Sequence, residues 1–175
     1  MTQDFDRFFE DQYGPRWPVL KESLLKNPIK IDRSCFNGHA VYTLDEASVL
    51  AALALPVESG DVVLDMCAAP GGKALILAEE LFKNGTQGEL IANELSFARR
   101  KRLEEVIRSH VPKQYLEQIK ITSWDAEKIG IRGEGRFDKI LLDAPCSSER
   151  HLFHQDSSMR EWKISRTKQL AQRQY

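Results

Sequence analysis

At 175 residues the chain is long enough to bury a full core as one domain of ordinary size. With 42% apolar and 29% charged residues it is not a disordered chain, and no run reaches the roughly 18–20 apolar residues of a membrane span. The net charge of −1 hides an asymmetry: residues 97–120 carry seven Lys/Arg against three Asp/Glu, and residues 150–175 carry six against two. Either segment alone reads as a solvated face, but two basic segments in an otherwise acidic chain suit a polyanion approached from one side.

The N-terminal "MTQDFDRFFEDQ" is acidic and aromatic, unlike a signal or transit peptide. Phe5, Phe8, Phe9 and Tyr13 fall at helical spacing up to "GPRWP" and read as a docking face; a second helical stretch covers residues 17–26. Thr43 with Glu46 predicts a capping box before the apolar helix of "ASVLAALAL". Strands are then expected at 62–66, 89–93, 118–123 and 138–143, with helices at 73–83, stopped by Asn84-Gly85, and at 97–110. Helices between strands imply parallel pairing with right-handed crossovers, an open α/β sheet. There is no internal repeat. Cys35, Cys67 and Cys146 are odd in number, far apart and without a Cys-x-x-Cys pair, so neither a disulfide framework nor a metal site is expected. The chain reads as soluble, from a reducing compartment, and the cytoplasm is the expected location.

The densest information lies in "VLDMCAAPGGKALILAEEL", a strand, a short loop and a helix. Gly71 and Gly72 let the backbone pass close to a ligand, and the helix that follows offers free N–H groups. A P-loop fails here, because Cys67 replaces the first glycine and Ala74 the magnesium-binding hydroxyl. A dinucleotide fingerprint fails too, since only the Gly71-Gly72 pair is present. An acid at the strand end, Asp65, with few phosphate-directed amides suits a less anionic nucleoside, and S-adenosylmethionine fits.

Ligands of open α/β sheets bind outside the carboxyl ends of the strands. Those ends carry Asp65, Glu94, Asp125 and Asp143 in turn. Glu94, twenty-two residues after Gly72, is spaced to accept ribose hydroxyls, and Asp125 to meet an adenine amino group. Each acid alone reads more readily as a loop acid or a helix cap; four at successive strand ends beside a glycine cradle read as a site. The fourth strand ends in "DAPC", which leaves Cys146 beyond the strand and after a proline. A thiol there needs a base, a basic side chain or the substrate itself to activate it.

"LDMCAAPGGK" followed by "LLDAPCS" resembles the Sun-type (nucleolar protein/Fmu) RNA cytosine-5 methyltransferases, with Glu94 and Asp125 between them. The resemblance covers nearly the whole chain and is strongest over residues 41–150. "FEDQYGPRWPVLKESLL", "SWDAEKIG" and "SSERHLFHQD" are similar to the branch holding the mitochondrial rRNA and tRNA enzymes and their bacterial relatives. It implies a Rossmann-like class I methyltransferase fold with strand order 3-2-1-4 and helices on both faces. A helical N-terminal extension over residues 1–42 would precede a methyltransferase domain over 43–175. It further implies S-adenosylmethionine held by Cys67, Ala68, Ala69, Pro70, Gly71, Gly72, Lys73, Glu94, Arg99, Asp125 and Asp143. The implied substrate is a flipped-out cytosine in a single strand or loop of rRNA or tRNA, with Cys146 and Asp143 catalytic.

The pattern also departs from the family. Sun-type enzymes use two cysteines, the attacking one in a later Thr-Cys-Ser segment, while this sequence ends at "KQLAQRQY". Cys146 matches the cysteine that assists product release. A fragment is the favoured account, because a sheet stopped after its fourth strand leaves an unpaired edge. The others are a non-catalytic module that binds RNA and S-adenosylmethionine, and an enzyme in which Cys146 itself attacks, as its counterpart does in DNA cytosine methyltransferases. DNA as substrate fits the flanking motifs less well. Which RNA, which cytosine and the oligomeric state are not written in these residues.

Overall fold

Val62, Val63 and Leu64 form the strand that their β-branched and apolar side chains predict, β3 (Val62–Asp65), with Val63 and Leu64 buried. Beside it lie β4 (Glu89–Asn93), β5 (Ile119–Thr122) and β6 (Lys139–Leu141), all parallel and in the order β5-β4-β3-β6. That is the expected order 3-2-1-4. The computed structural model describes residues 3–131, 135–154 and 162–175. They divide into two units, Ile29–Ala144, which holds the sheet, and Met1–Pro28 with Pro145–Tyr175.

In the sheet unit, α4 (Gly72–Phe82) connects β3 to β4, and α5 (Phe97–His110) connects β4 to β5. The sequence "ALILAEELF" is apolar nearly all round, as a helix enclosed by its neighbours should be. Ala74, Leu75, Ile76, Leu77, Ala78, Leu81 and Phe82 are all buried. Each fully buried leucine or isoleucine contributes about 1.5–3 kcal/mol. The helix packs against β4, α5 and α3 (Glu46–Leu53), and Phe82 stacks on Tyr115 with centroids 4.9 Å apart. The helix ends near the anticipated Asn84-Gly85, where Gly85 takes φ +138°.

One element was not anticipated and two local expectations are corrected. The expected helical extension over residues 1–42 is helical only at its start: β1 (Lys30–Arg33) and β2 (Tyr42–Asp45) form an antiparallel hairpin. The predicted capping box does not form. Thr43 lies within β2 and its Oγ1 donates to Asp32 across the hairpin at 2.6 Å, while Asp45 stands at the N-cap of α3 without a side-chain bond. The cross-strand partner outcompetes the local cap. The fourth strand is also shorter than 138–143, because its ladder follows β3 only to the pair Asp65–Leu141. Leu142 and Asp143 have no strand residue to pair with and lie exposed.

The smaller unit contains α1 (Gln3–Tyr13), α2 (Trp17–Leu25), α6 (Glu149–Phe153) and α7 (Ile164–Gln174). Helical spacing brings Phe5 and Phe9 to one face of α1, where they bury with Trp17. Phe153 and Trp162 meet Phe5 edge-on at 5.4 and 5.0 Å. The aromatic stripe is thus a docking face, joining the first helices to the last part of the chain. Asp6 fixes the corner between α1 and α2, accepting from Trp17 Nε1 at 3.1 Å and from Lys21 at 2.9 Å.

Candidate active site at the carboxyl ends of the strands

The loop after β3 is held from both sides. Met66 N–H donates to Leu141 O at 2.9 Å and Ala68 N–H to Asn93 O at 2.8 Å. Arg99 reaches back from α5 to donate to Ala69 O at 2.8 Å. Within the cradle Ala68, Ala69, Gly71 and Gly72 are buried, Cys67 and Lys73 are half-buried, and Pro70 is exposed. Burial and the neighbouring Glu94 and Asp65 push the Cys67 thiol up from its ordinary pKa.

The two glycines serve the packing of the cradle. A Cβ on Gly71, at φ +118°, would meet Val106 at 2.9 Å and Leu103 at 3.2 Å. One on Gly72 would meet Leu44 at 2.5 Å and Tyr42 at 3.0 Å. On the Cβ side of these two positions the space is filled by α5 and by the hairpin, so close packing by itself calls for glycine here. Helix α3 reaches the charged end of the cradle, where Lys73 Nζ donates to Ser48 Oγ at 3.3 Å.

Five of the charged groups singled out in sequence, Asp65, Lys73, Glu94, Arg99 and Asp143, come together here. Lys73 pairs with Asp143 at 2.7 Å. Glu94 is buried, its Oε1 accepting the Ser96 N–H at 2.9 Å while Oε2 lies 3.4 Å from Arg99. Asp65 is 1% exposed and neither of its oxygens has a hydrogen-bond partner among the described residues. Burial pushes its pKa up to about 7; Lys73 and the nearby Cys67 backbone N–H pull it down, while Asp143 and Glu94 add repulsion. Asp125 stands beyond β5, bound by Lys128 at 3.0 Å and by the Glu127 N–H at 3.3 Å, which also suits the cap reading of this acid.

Sequence reasoning missed Asn93, the last residue of β4. Its side chain donates to Met66 O at 3.0 Å and Trp124 O at 3.1 Å, and accepts from Thr122 Oγ1 at 2.8 Å and Trp124 N–H at 2.7 Å. It thus ties together the ends of β3, β4 and β5 and sets the loops that carry Cys67, Glu94 and Asp125. The available signal was a polar residue closing an otherwise apolar strand.

Cys146 belongs to the smaller unit. It is exposed, with Sγ 3.7 Å from Ser148 Oγ. Ser148 holds a left-handed backbone at φ +56°, an uncommon conformation for a residue with a side chain. In the second basic segment, Arg160 lies outside the described residues, as do Gln155 and Asp156 of the quoted "SSERHLFHQD". Among the described residues no group of three or more potential ligands is placed to hold a metal ion, and no helix is long and apolar enough to cross a membrane.

Comparison with known proteins places this arrangement among RNA-modifying enzymes. A family model described as 16S rRNA methyltransferase RsmB/F matches residues 52–175. The chain is 43% identical over 119 residues to the mouse (Mus musculus) 5-cytosine rRNA methyltransferase NSUN4, covering 67% of this chain and 30% of that one. It is 38% identical over 130 residues to the mouse mitochondrial tRNA (cytosine(34)-C(5))-methyltransferase, covering 74% and 36%. The crystal structure of NSun6 from Pyrococcus horikoshii with SFG matches with a TM-score of 0.61 and 29% identity, over 85% of this chain and 36% of that one. The chain thus spans about a third of the length of these relatives. They also correct the expected cytoplasmic location, because the tRNA enzyme is mitochondrial by name and points to mitochondria instead.

Proposed function

The chain belongs to the 16S rRNA methyltransferase RsmB/F family, and from that premise we propose that it takes part in methylating carbon 5 of a cytosine in rRNA or tRNA, with S-adenosylmethionine as donor. The observation that carries this reading is the pair of buried acids, Asp65 and Glu94, at adjacent strand ends beside the Cys67–Lys73 cradle. An unpartnered buried carboxylate is costly, and a cationic, hydroxyl-rich ligand removes that cost. Asp65 lacks partners that a cation supplies, so the residues fit this cofactor. When bound, S-adenosylmethionine supplies the methyl group on its sulfonium to the nucleophilic carbon of the target base.

The remaining roles fall to the chain's own residues. Glu94, held in place by Ser96 and Arg99, accepts the ribose hydroxyls, and Asp125 receives the adenine amino group. Lys73 fixes Asp143, which stabilises charge that develops on the cytosine ring nitrogen. Carbon 5 of cytosine is a weak nucleophile until a thiolate adds at carbon 6 and pushes electron density toward it. After methylation a base takes the carbon-5 proton, the ring double bond re-forms and the carbon–sulfur bond breaks. Cys146 serves this addition–elimination cycle, in the release step that the family resemblance implies.

Calorimetry with S-adenosylmethionine tests the reading. Glu94→Ala should weaken binding by about 1.5–3 kcal/mol, roughly tenfold or more. Absence of binding to the unaltered chain would remove the cofactor, and unchanged affinity in the variant would remove Glu94. The same preparation, offered RNA containing 5-fluorocytosine, assigns the thiol: a Cys146-dependent covalent adduct on a denaturing gel would make it the attacking group.

A further inference from the structure

The basic run Arg99-Arg100-Lys101-Arg102 does not act as one stripe. Arg99 donates to Ala69 O, and Arg100 donates to Glu94 O at 3.0 Å and Leu95 O at 3.3 Å, so these two turn toward the cradle and its neighbouring loop. Lys101 and Arg102 are exposed, and neither makes an ion pair among the described residues. Ahead of the run stands Phe97, the first residue of α5, with 64% of its surface exposed. The Arg100 guanidinium lies 5.6 Å and the Lys101 ammonium 4.9 Å from its ring centroid.

We infer that Phe97, flanked by Arg100 and Lys101, is a stacking platform for an unpaired base of the RNA strand; this rests on the reading that the substrate is RNA. A single exposed phenylalanine on a monomer is ordinary. This one differs in its setting. The Arg100 bonds hold the loop from which the ring projects, cations lie beside the ring, and the surrounding segment 97–120 has an excess of positive charge. It also follows Glu94 by three residues, at the strand end where the donor is proposed to lie. Charge complementarity favours a polyanion, and an exposed ring favours one whose bases are free to stack. Single-stranded RNA has both properties, since every base offers a π-face and every phosphate a negative charge.

Fluorescence anisotropy of the 175-residue chain with a fluorescein-labelled, unstructured 12-nucleotide RNA, titrated across a series of salt concentrations, tests the platform. Phe97→Ala should lower affinity roughly 5- to 100-fold with the salt slope unchanged. Lys101→Ala should reduce that slope by about 0.7. Phe97→Trp should retain affinity and show RNA-dependent quenching beyond that of the native tryptophans. Unchanged affinity in Phe97→Ala, no added quenching in Phe97→Trp, or no RNA binding at all would overturn the platform. So would a ring-dependent dimer in sedimentation with unaltered RNA affinity. Cofactor binding measured on the same Phe97→Ala protein should be unchanged, which separates failure of the platform from failure of the donor site.

Discussion

Asp65 is the residue on which the electrostatics of the site turn. Its pKa in the folded chain is about 7, against an unfolded value near ~3.9. A raised carboxyl binds its proton more tightly when folded, so its contribution to stability is complete below about pH 4 and is lost as pH rises through 7. The full loss is at most about 4 kcal/mol. Asp65→Asn keeps the shape and removes the titration. Without ligand, the Tm of this variant relative to the unaltered chain should climb between pH 5 and pH 8, by several degrees at about 2–4 °C per kcal/mol. Parallel Tm profiles would show that Asp65 does not titrate there. Asp65, Glu94, Asp125 and Asp143 were all legible in sequence because each lies at or just beyond the carboxyl end of a strand. Asn93 was not, because its four bonds reach Met66, Thr122 and Trp124 on other elements.

At the level of elements, the hairpin β1–β2 and helix α5 act as clamps on the start of α4. Gly72→Ala would place a methyl group 2.5 Å from Leu44 Cδ2, and overpacking of this kind costs about 1–3 kcal/mol. Gly71→Ala adds a backbone at φ +118° that alanine rarely adopts, so it should cost more. Urea unfolding midpoints should therefore fall in the order unaltered chain, Gly72→Ala, Gly71→Ala. An unchanged midpoint for Gly72→Ala would mean that the hairpin does not clamp the cradle. The helices at 72–82 and 97–110 were readable because one chain segment contains their whole pattern. The hairpin was not, since Lys30–Arg33 and Tyr42–Asp45 are short, mostly half-exposed and defined by each other.

At the scale of the molecule, the chain's two ends build one unit and its middle builds the other. Phe5 is fully buried at the centre of the first, touching Phe9, Trp17, Phe153 and Trp162. Phe5→Ala should cost about 3–5 kcal/mol there. Hydrogen exchange should report the loss as reduced protection in α1, α2 and α6, with β3 and β4 keeping theirs. Equal loss in β3 and β4 would show that the two units unfold as one. The residues proposed to hold the cofactor lie in the middle unit, while Cys146 is carried by the other.

Local patterns were enough to determine the parallel strands, the two crossover helices and the row of acids, because side-chain periodicity and strand-end position are properties of one segment at a time. Only the folded chain decided how those segments use one another. It gave Lys73 to Asp143, seventy residues away, and Thr43 to Asp32 in place of a helix cap. It filled the glycine spaces with Leu44, Tyr42, Leu103 and Val106, turned Arg99 and Arg100 inward, and left Phe97 exposed. Such choices are settled by competition among partners distant in sequence, and each depends on which of them the completed packing brings within reach.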